Sequence, residues 1–408
     1  MNVKSARSGL LLLAFTTTLL FSSFFLLFHR SSNISTSFHF LGYHRLQSYV
    51  LPTRWRSSHS DREEVAYATI LTGTPGDGGD PNDPYLVALR ILGYQLIHCP
   101  ETRTQKDIPF LVLVTDKISE KWQKRLSADG AEVIKVDTVP MPSWIHPGVP
   151  RWKDVMTKLR AWQLTKYSKI LLLDVDTILT GNMDGIFDVE AAQWLRSEIN
   201  SVQSEGAGVR PRATVGHRRP VTKRFEESSR SKVPEDRYHP DYEAPMLPPP
   251  PEKYLMSTAL AIKGSHTTPP EFPKDLRDER KHVNAGFMML GPSQEMFEYY
   301  LAAIHTPNYF AAFFPEQDLL DRIHIQNDTF MPWQYIGFEW NTIYPTEKDL
   351  GLGEENNGTA YIKSAHTKWW DHDKLSRSFE TWMLEWRWRM QGFYEKHDEQ
   401  HKISDIFE

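Results

Sequence analysis

From Glu64 onward, short apolar runs alternate with stretches whose apolar residues recur at helical spacing. Val65–Leu71 is a β-type run, and it ends in Thr72-Gly73-Thr74-Pro75-Gly76-Asp77-Gly78-Gly79, a dense turn signal. Asp83-Pro84 reads as a helix cap followed by proline at the first helical position, which predicts a helix to about His98. Phe110–Val114 predicts a second strand, Ile118–Ala128 a helix, and Glu132–Val136 a third strand. Val155–Tyr167 predicts another helix, and Ile170–Leu173 is a wholly apolar fourth strand. Val283–Leu290 predicts a later strand, with helices over Pro292–Ile304 and Pro315–Ile325. The last helix, Ser376–Lys396, carries Trp382, Trp386 and Met390 at steps of four, which reads as a packing stripe. Alternating strands and helices predict an α/β domain with a mostly parallel sheet covered on both faces. Such sheets bind ligands beyond the carboxyl ends of their strands.

Three stretches depart from this pattern. Gly9 to Phe28 holds no charge and is dominated by Leu and Phe. Twenty residues of helix span roughly 30 Å, the thickness of a bilayer's hydrocarbon core. The stretch is expected to be an uncleaved transmembrane signal anchor, with residues 1–8 (Lys4 and Arg7 among them) as a cytoplasmic tail. Residues 29–62 are rich in Ser, His and Arg and read as a stem. Residues 63–408 then form the catalytic body, interrupted at about 195–250 by a basic, Ser- and Pro-rich stretch that reads as a disordered insertion. Asn33, Asn327 and Asn357 head Asn-x-Ser/Thr triplets, consistent with a luminal body.

Charge and cysteine narrow the field. The net charge of -5 argues against a nucleic-acid partner, which would want a basic face. Cys99 is the single cysteine, so no internal disulfide forms; it follows an apolar helical run and reads as a small core residue.

The strongest chemical signal is Lys169-Ile170-Leu171-Leu172-Leu173-Asp174-Val175-Asp176-Thr177. Two aspartates follow a buried strand with one residue between them. In an extended segment, side chains at i and i+2 point the same way, so both carboxylates are expected to converge at the sheet's carboxyl edge. Two unit charges 4 Å apart repel by about 4 kcal/mol at an effective dielectric of 20. A divalent cation between them reverses that sign and can clamp a diphosphate on its open side.

Further runs fall in a familiar order. Thr157-Lys158-Leu159-Arg160-Ala161-Trp162, Leu164 to Lys169 and Leu173 to Thr177 come first. Asn284-Ala285-Gly286-Phe287, Pro315 to Leu320, Phe338-Glu339-Trp340-Asn341 and His366 to Trp370 follow. Over about residues 64–390 the chain resembles glycosyltransferase family 8, the glycogenin-like enzymes, and its anchor and insertion look like the fungal Golgi-type branch. The resemblance implies a GT-A fold: one Rossmann-like domain with a mostly parallel mixed sheet, binding a nucleotide sugar. It implies retaining transfer from a UDP-sugar to a glycan or other hydroxyl acceptor, with Mn²⁺ (or Mg²⁺) as cofactor. The implied metal ligands are Asp174, Asp176 and His366. Lys158, Glu316 and Gln317 are implied at the reacting sugar. Thr72, Tyr85, Asp174, Val175, Asp176, Asn284, Ala285 and Lys368 are implied at the donor. Trp369 stands where the family has proline, and Glu316 where many relatives have Asp. The implied location is the Golgi membrane, single-pass, with the body luminal.

Two other readings fit parts of the pattern. A haloacid-dehalogenase-type phosphatase also starts Asp-x-Asp after an apolar strand, but it wants Gly-Thr next, where Thr177-Ile178 stands here. A non-catalytic, membrane-anchored pseudo-glycosyltransferase would keep nucleotide binding without turnover.

Overall fold

The computed structural model describes residues 63–73, 80, 82–198, 247–261, 282–324, 330–352, 360–370 and 376–401. The expected anchor, tail and stem, the three Asn-x-Ser/Thr triplets, the turn cluster at 74–79 and most of the insertion lie outside these residues. The described residues belong to one compact unit, Arg62–Glu408. Among them, no helix is long and apolar enough to cross a membrane.

A seven-stranded sheet forms the centre. Its first four strands in the chain are β1 (Val65–Leu71), β2 (Phe110–Val114), β3 (Glu132–Lys135) and β4 (Lys169–Leu173). All are parallel, in the spatial order β3-β2-β1-β4. Beyond β4 lies β9 (His282–Leu290), which runs antiparallel with Leu173 opposite Phe287. Then come β8 (Met256–Ala261), antiparallel to β9, and β10 (Gln334–Tyr335), parallel to β8. The sheet is therefore mixed and mostly parallel, as the alternating pattern predicts. A second sheet has three strands, in the order β11 (Thr342–Ile343), β12 (Ser364–His366), β5 (Thr177–Leu179). The remaining strands, β6 (Leu195–Arg196) and β7 (Lys253–Tyr254), pair with each other.

Side-chain alternation along the strands builds two cores. Tyr67, Leu71, Leu171 and Leu173 face α1 (Pro84–Ile97), α2 (Glu120–Ala128) and α5 (Arg377–His401). Ala66, Ala68, Ile170 and Leu172 face a long 3₁₀ helix (Pro150–Gln163), α3 (Gln294–Ile304) and α4 (Pro315–His324). Each large aliphatic side chain so buried contributes about 1.5–3 kcal/mol. Asp83 caps α1 as expected, its carboxylate accepting from the backbone N–H of Tyr85 and Leu86. Cys99 is fully buried. In the tryptophan stripe of α5, Trp386 and Met390 are buried and Trp382 packs against the same core.

Two differences from the sequence reading have physical causes. The helix expected over Val155–Tyr167 begins at Pro150, ends at Gln163 and is wound as 3₁₀. Its buried Met156, Leu159 and Trp162 recur every third residue, the period of that tighter helix. Strands β8, β11 and β12 carry buried polar residues such as Ser257, Thr258, Thr342 and Ser364, and β10 is two half-buried residues long. Their sequences show neither an apolar run nor clean alternation, so the pattern missed them.

Candidate active site at the carboxyl rim of the sheet

Strand β4 stops at Leu173, and Asp174 to Thr177 form a turn closed by the Thr177 N–H donating to the Asp174 carbonyl at 3.2 Å. The two aspartates therefore converge through a turn. The extended i, i+2 geometry expected for them is replaced because the chain bends here to enter the second sheet as β5. The turn sends the residues in different directions. Asp174 stays on the large sheet, its N–H donating to the Gly286 carbonyl at 2.7 Å as a continuation of the β4–β9 ladder. Val175 tucks its side chain into the core. Asp176 leads into β5, opposite β12, where His366 pairs with Thr177. The Asp176 carbonyl accepts from the Thr367 N–H at 3.1 Å.

Asp174, Asp176 and His366 each bring one ligand atom within 4.8 Å of the others. Two hard carboxylate oxygens and one imidazole nitrogen suit a divalent cation such as Mn²⁺. Gly286 leaves room for the group. A Cβ added there would lie 2.4 Å from His366 Cε1 and 2.7 Å from Asp174 Oδ2, so any larger residue would invade the cradle.

Each carboxylate also has its own ammonium. Lys158, carried by the 3₁₀ helix, places Nζ 2.8 Å from Asp174 Oδ1 and 3.3 Å from Glu316 Oε1, and donates to the Ala285 carbonyl at 3.2 Å. Burial by itself would lower this lysine's pKa, but Asp174 and Glu316 outweigh it and raise it above the ordinary value. Lys368 sits 3.1 Å from Asp176 Oδ2, and His366 Nε2 3.2 Å from Asp176 Oδ1. Burial would push the Asp176 carboxyl up; His366 and then Lys368 reverse this and hold it well below the usual carboxylate range. Asp176 is thus an anion across the working pH range. Despite the tryptophan at 369, Lys368 reaches the rim.

The other expected residues fall at several distances from this cluster. Asn284 is buried in β9, and its amide oxygen accepts from the Gly286 N–H at 3.0 Å, bracing the strand. Glu316 and Gln317 occupy the first turn of α4. Of the two, Glu316 is tied to the cluster, through Lys158. Tyr85 lies in the first turn of α1 with its ring 4.9 Å from that of Trp370. Thr72 follows β1 at the same rim, its carbonyl accepting from the Thr115 hydroxyl at 2.8 Å.

Asn341 received no role from the sequence, yet its Oδ1 lies 3.1 Å from His366 Nδ1. Its position in Phe338-Glu339-Trp340-Asn341 was the available signal. Gly286 likewise lies within Asn284-Ala285-Gly286-Phe287, and only the close packing around it reveals why a side chain is excluded.

No family model matches the chain. An uncharacterised protein of Schizosaccharomyces pombe is 28% identical over 353 residues, which cover 84% of this chain and 80% of that one. Inositol phosphorylceramide glucuronosyltransferase 1 of Arabidopsis thaliana is 34% identical over 128 residues, and human glycogenin-1 34% identical over 130. The chain is a relative of the glycogenin-like glycosyltransferases of family 8. As a glycogenin-like chain it is matched over 31% of its own length by these two proteins, and it spans only 21% and 33% of theirs. The Streptococcus pneumoniae glycosyltransferase GlyE superposes on 82% of this chain and 64% of its own, with 11% identity and a TM-score of 0.40. A likeness that loose assigns nothing to a glycogenin-like chain beyond what sequence relatives already give.

Proposed function

We propose that this protein is a retaining glycosyltransferase that moves a sugar from a UDP-sugar to a hydroxyl acceptor, with Mn²⁺ or Mg²⁺ held by Asp174, Asp176 and His366. The observation that carries this reading is the convergence of those three groups within 4.8 Å at the sheet's carboxyl rim. Kinship with glucuronosyltransferase and glycogenin sequences supports the reaction class. The mixed sheet, with β9 and β8 turned against the parallel β3-β2-β1-β4 half, supports a GT-A-like domain. By composition and N-terminal pattern, residues 9–28 anchor the chain in the Golgi membrane, and the body faces the lumen.

In this reading the reaction breaks the bond between the sugar's anomeric carbon and the diphosphate oxygen and forms a bond to the acceptor oxygen, while the acceptor hydroxyl's proton passes to the departing diphosphate. Asp174, Asp176 and His366 would hold a divalent cation at the rim, which would supply positive charge to a diphosphate leaving group. Lys368, two-fifths exposed at its side chain, swings from Asp176 toward a phosphate oxygen and adds a second positive charge. Lys158 stays buried and holds the Glu316 carboxylate in place beside the sugar pocket. Glu316 is the candidate for the anomeric face, as nucleophile or as the charge that stabilises an oxocarbenium-like centre. Asn284, Gln317 and the Ala285 backbone surround the sugar. Thr72 and Tyr85 flank the nucleotide base.

The test is a panel of UDP-sugars given to the purified full-length protein, with and without Mn²⁺, scored for UDP release. Turnover of at least one donor in the presence of Mn²⁺ alone supports the reading. Hydrolysis of a generic aryl phosphate with no UDP release would replace it with the phosphatase. Glu316→Gln should lower turnover by at least about 100-fold, and unchanged turnover removes Glu316 from the chemistry.

A further inference from the structure

Asn341 is fully buried between a 3₁₀ turn, Phe338–Trp340, and strand β11. Its backbone is tightly placed. The Asn341 N–H donates to the Phe338 carbonyl at 3.1 Å, the Thr342 hydroxyl donates to the same carbonyl at 3.0 Å, and the Ser364 hydroxyl donates to the Trp340 carbonyl at 2.6 Å. The parallel pairing of β11 with β12 sets Ile343 beside His366 and so fixes which residue reaches the ring.

The side chain makes one contact and leaves one group unused. Its Oδ1 lies 3.1 Å from His366 Nδ1, while its Nδ2 is buried with no hydrogen-bond partner. A buried donor left unpaired is costly, and an apolar residue of the same size would remove that cost. The residue therefore does something for its neighbour that an apolar side chain could not. An amide oxygen can only accept, so the facing Nδ1 must carry its hydrogen. The opposite ring nitrogen, Nε2, is then the one that faces Asp176, 3.2 Å away: without an ion it can carry a proton toward that carboxylate, and when a cation takes the proton's place it offers its lone pair. The reversed amide would present N–H to Nδ1, force the hydrogen onto Nε2 and block that lone pair.

We infer that Asn341 is a positioning residue that fixes the tautomer and orientation of His366, so that Nε2 joins Asp174 and Asp176 as a cation ligand. The inference rests on the proposed metal site. A partner of this kind on the far nitrogen is what metal-bound histidines generally require. Gly286 confines the ring near Cε1, and Asn341 holds it at Nδ1.

The test titrates the full-length protein with Mn²⁺ alone and reads free Mn²⁺ by electron paramagnetic resonance. Circular dichroism checks that each variant is folded. Asn341→Leu should weaken Mn²⁺ binding by about 10- to 100-fold. Asn341→Ala, which adds no bulk, should do the same if the leucine variant does not fold. Asn341→Asp, which keeps an accepting oxygen, should bind within about threefold of wild type, a rescue that a merely structural role does not produce. Wild-type affinity in the folded leucine or alanine variant, while Asp176→Ala and His366→Ala lose binding, overturns the inference and leaves the site standing. Failure of Asn341→Asp to restore binding also overturns it. A wild-type protein that binds no Mn²⁺, or an Asp176→Ala variant that binds as well as wild type, sinks the metal site and this inference together.

Discussion

Asp174 and Asp176 are two residues apart, and they live in different halves of the protein. Asp174 belongs to the large sheet and is neutralised from inside by Lys158, whose side chain is only 10% exposed. Asp176 belongs to the small sheet and is neutralised from its open side by Lys368, whose side chain is 39% exposed. The inner pair is buried, with Lys158 shared between Asp174 and Glu316. The outer pair is shared between His366 and Lys368, and that lysine is the more exposed of the two ammonium groups. A site built in this way can keep its shape while exchanging what it binds.

The largest expected effects strike both halves at once. Asp174→Ala and Asp176→Ala should each cut metal-dependent UDP release by about 1,000-fold, roughly 4 kcal/mol of barrier, with the fold retained by circular dichroism. Comparable turnover in either variant would break the pairing of the two acids. The lysines should then separate the halves. Lys158→Met strands Asp174 and Glu316 without their shared buried partner and should cost about 3 kcal/mol or more in urea unfolding. Lys368→Met should cost less than Lys158→Met, because Lys368 is itself 39% exposed and the buried Asp176 keeps His366 as a partner. Equal losses would mean that the halves are not distinct.

A pH series isolates the rim from the core behind it. His324 is sealed between the Tyr300 hydroxyl and the Met331 carbonyl, each 2.7 Å away, and burial pushes its pKa down to about 4. Below about pH 6.5 the unfolded chain takes up a proton that the folded chain refuses. Stability from this residue should therefore fall on the order of 3 kcal/mol between pH 6.5 and 4, and His324→Gln should lack that slope in thermal melts. Asp318, pushed up to about 7 by burial, acts in the opposite sense and is common to both proteins. The difference between the two curves is then the histidine's own. The smallest perturbation is one methyl group. Gly286→Ala forces His366 or Asp174 aside and should cost about 1–3 kcal/mol in stability, with weaker Mn²⁺ binding than wild type.

The inner half could be read from sequence because its signals are local. Four apolar runs, a helix cap and an Asp-x-Asp after a buried strand lie within short windows. The outer half could not. His366 reaches Asp176 through strands of two and three residues, too short to show a period. Within the inner half itself, the link between Lys158 and Glu316 escapes such reading, because it joins residues 158 positions apart and no local pattern relates them. The aspartate pair converges at the rim as its spacing predicts, but a turn and not an extended strand brings the acids together. Resemblance supplied the names of several outer residues. The structure supplied what holds them, and Asn341 and Gly286 are the positions where the two differ most.

The resident ammonium groups of Lys158 and Lys368 have a practical consequence. In small zinc-bound domains, stripping the ion leaves bare ligands and the fold collapses. Here a chelator such as EDTA would leave every acid at the rim already matched by a neighbouring lysine. The stripped protein should therefore melt within a few degrees of the loaded one and regain activity on adding Mn²⁺, so that catalysis and folding can be switched off separately.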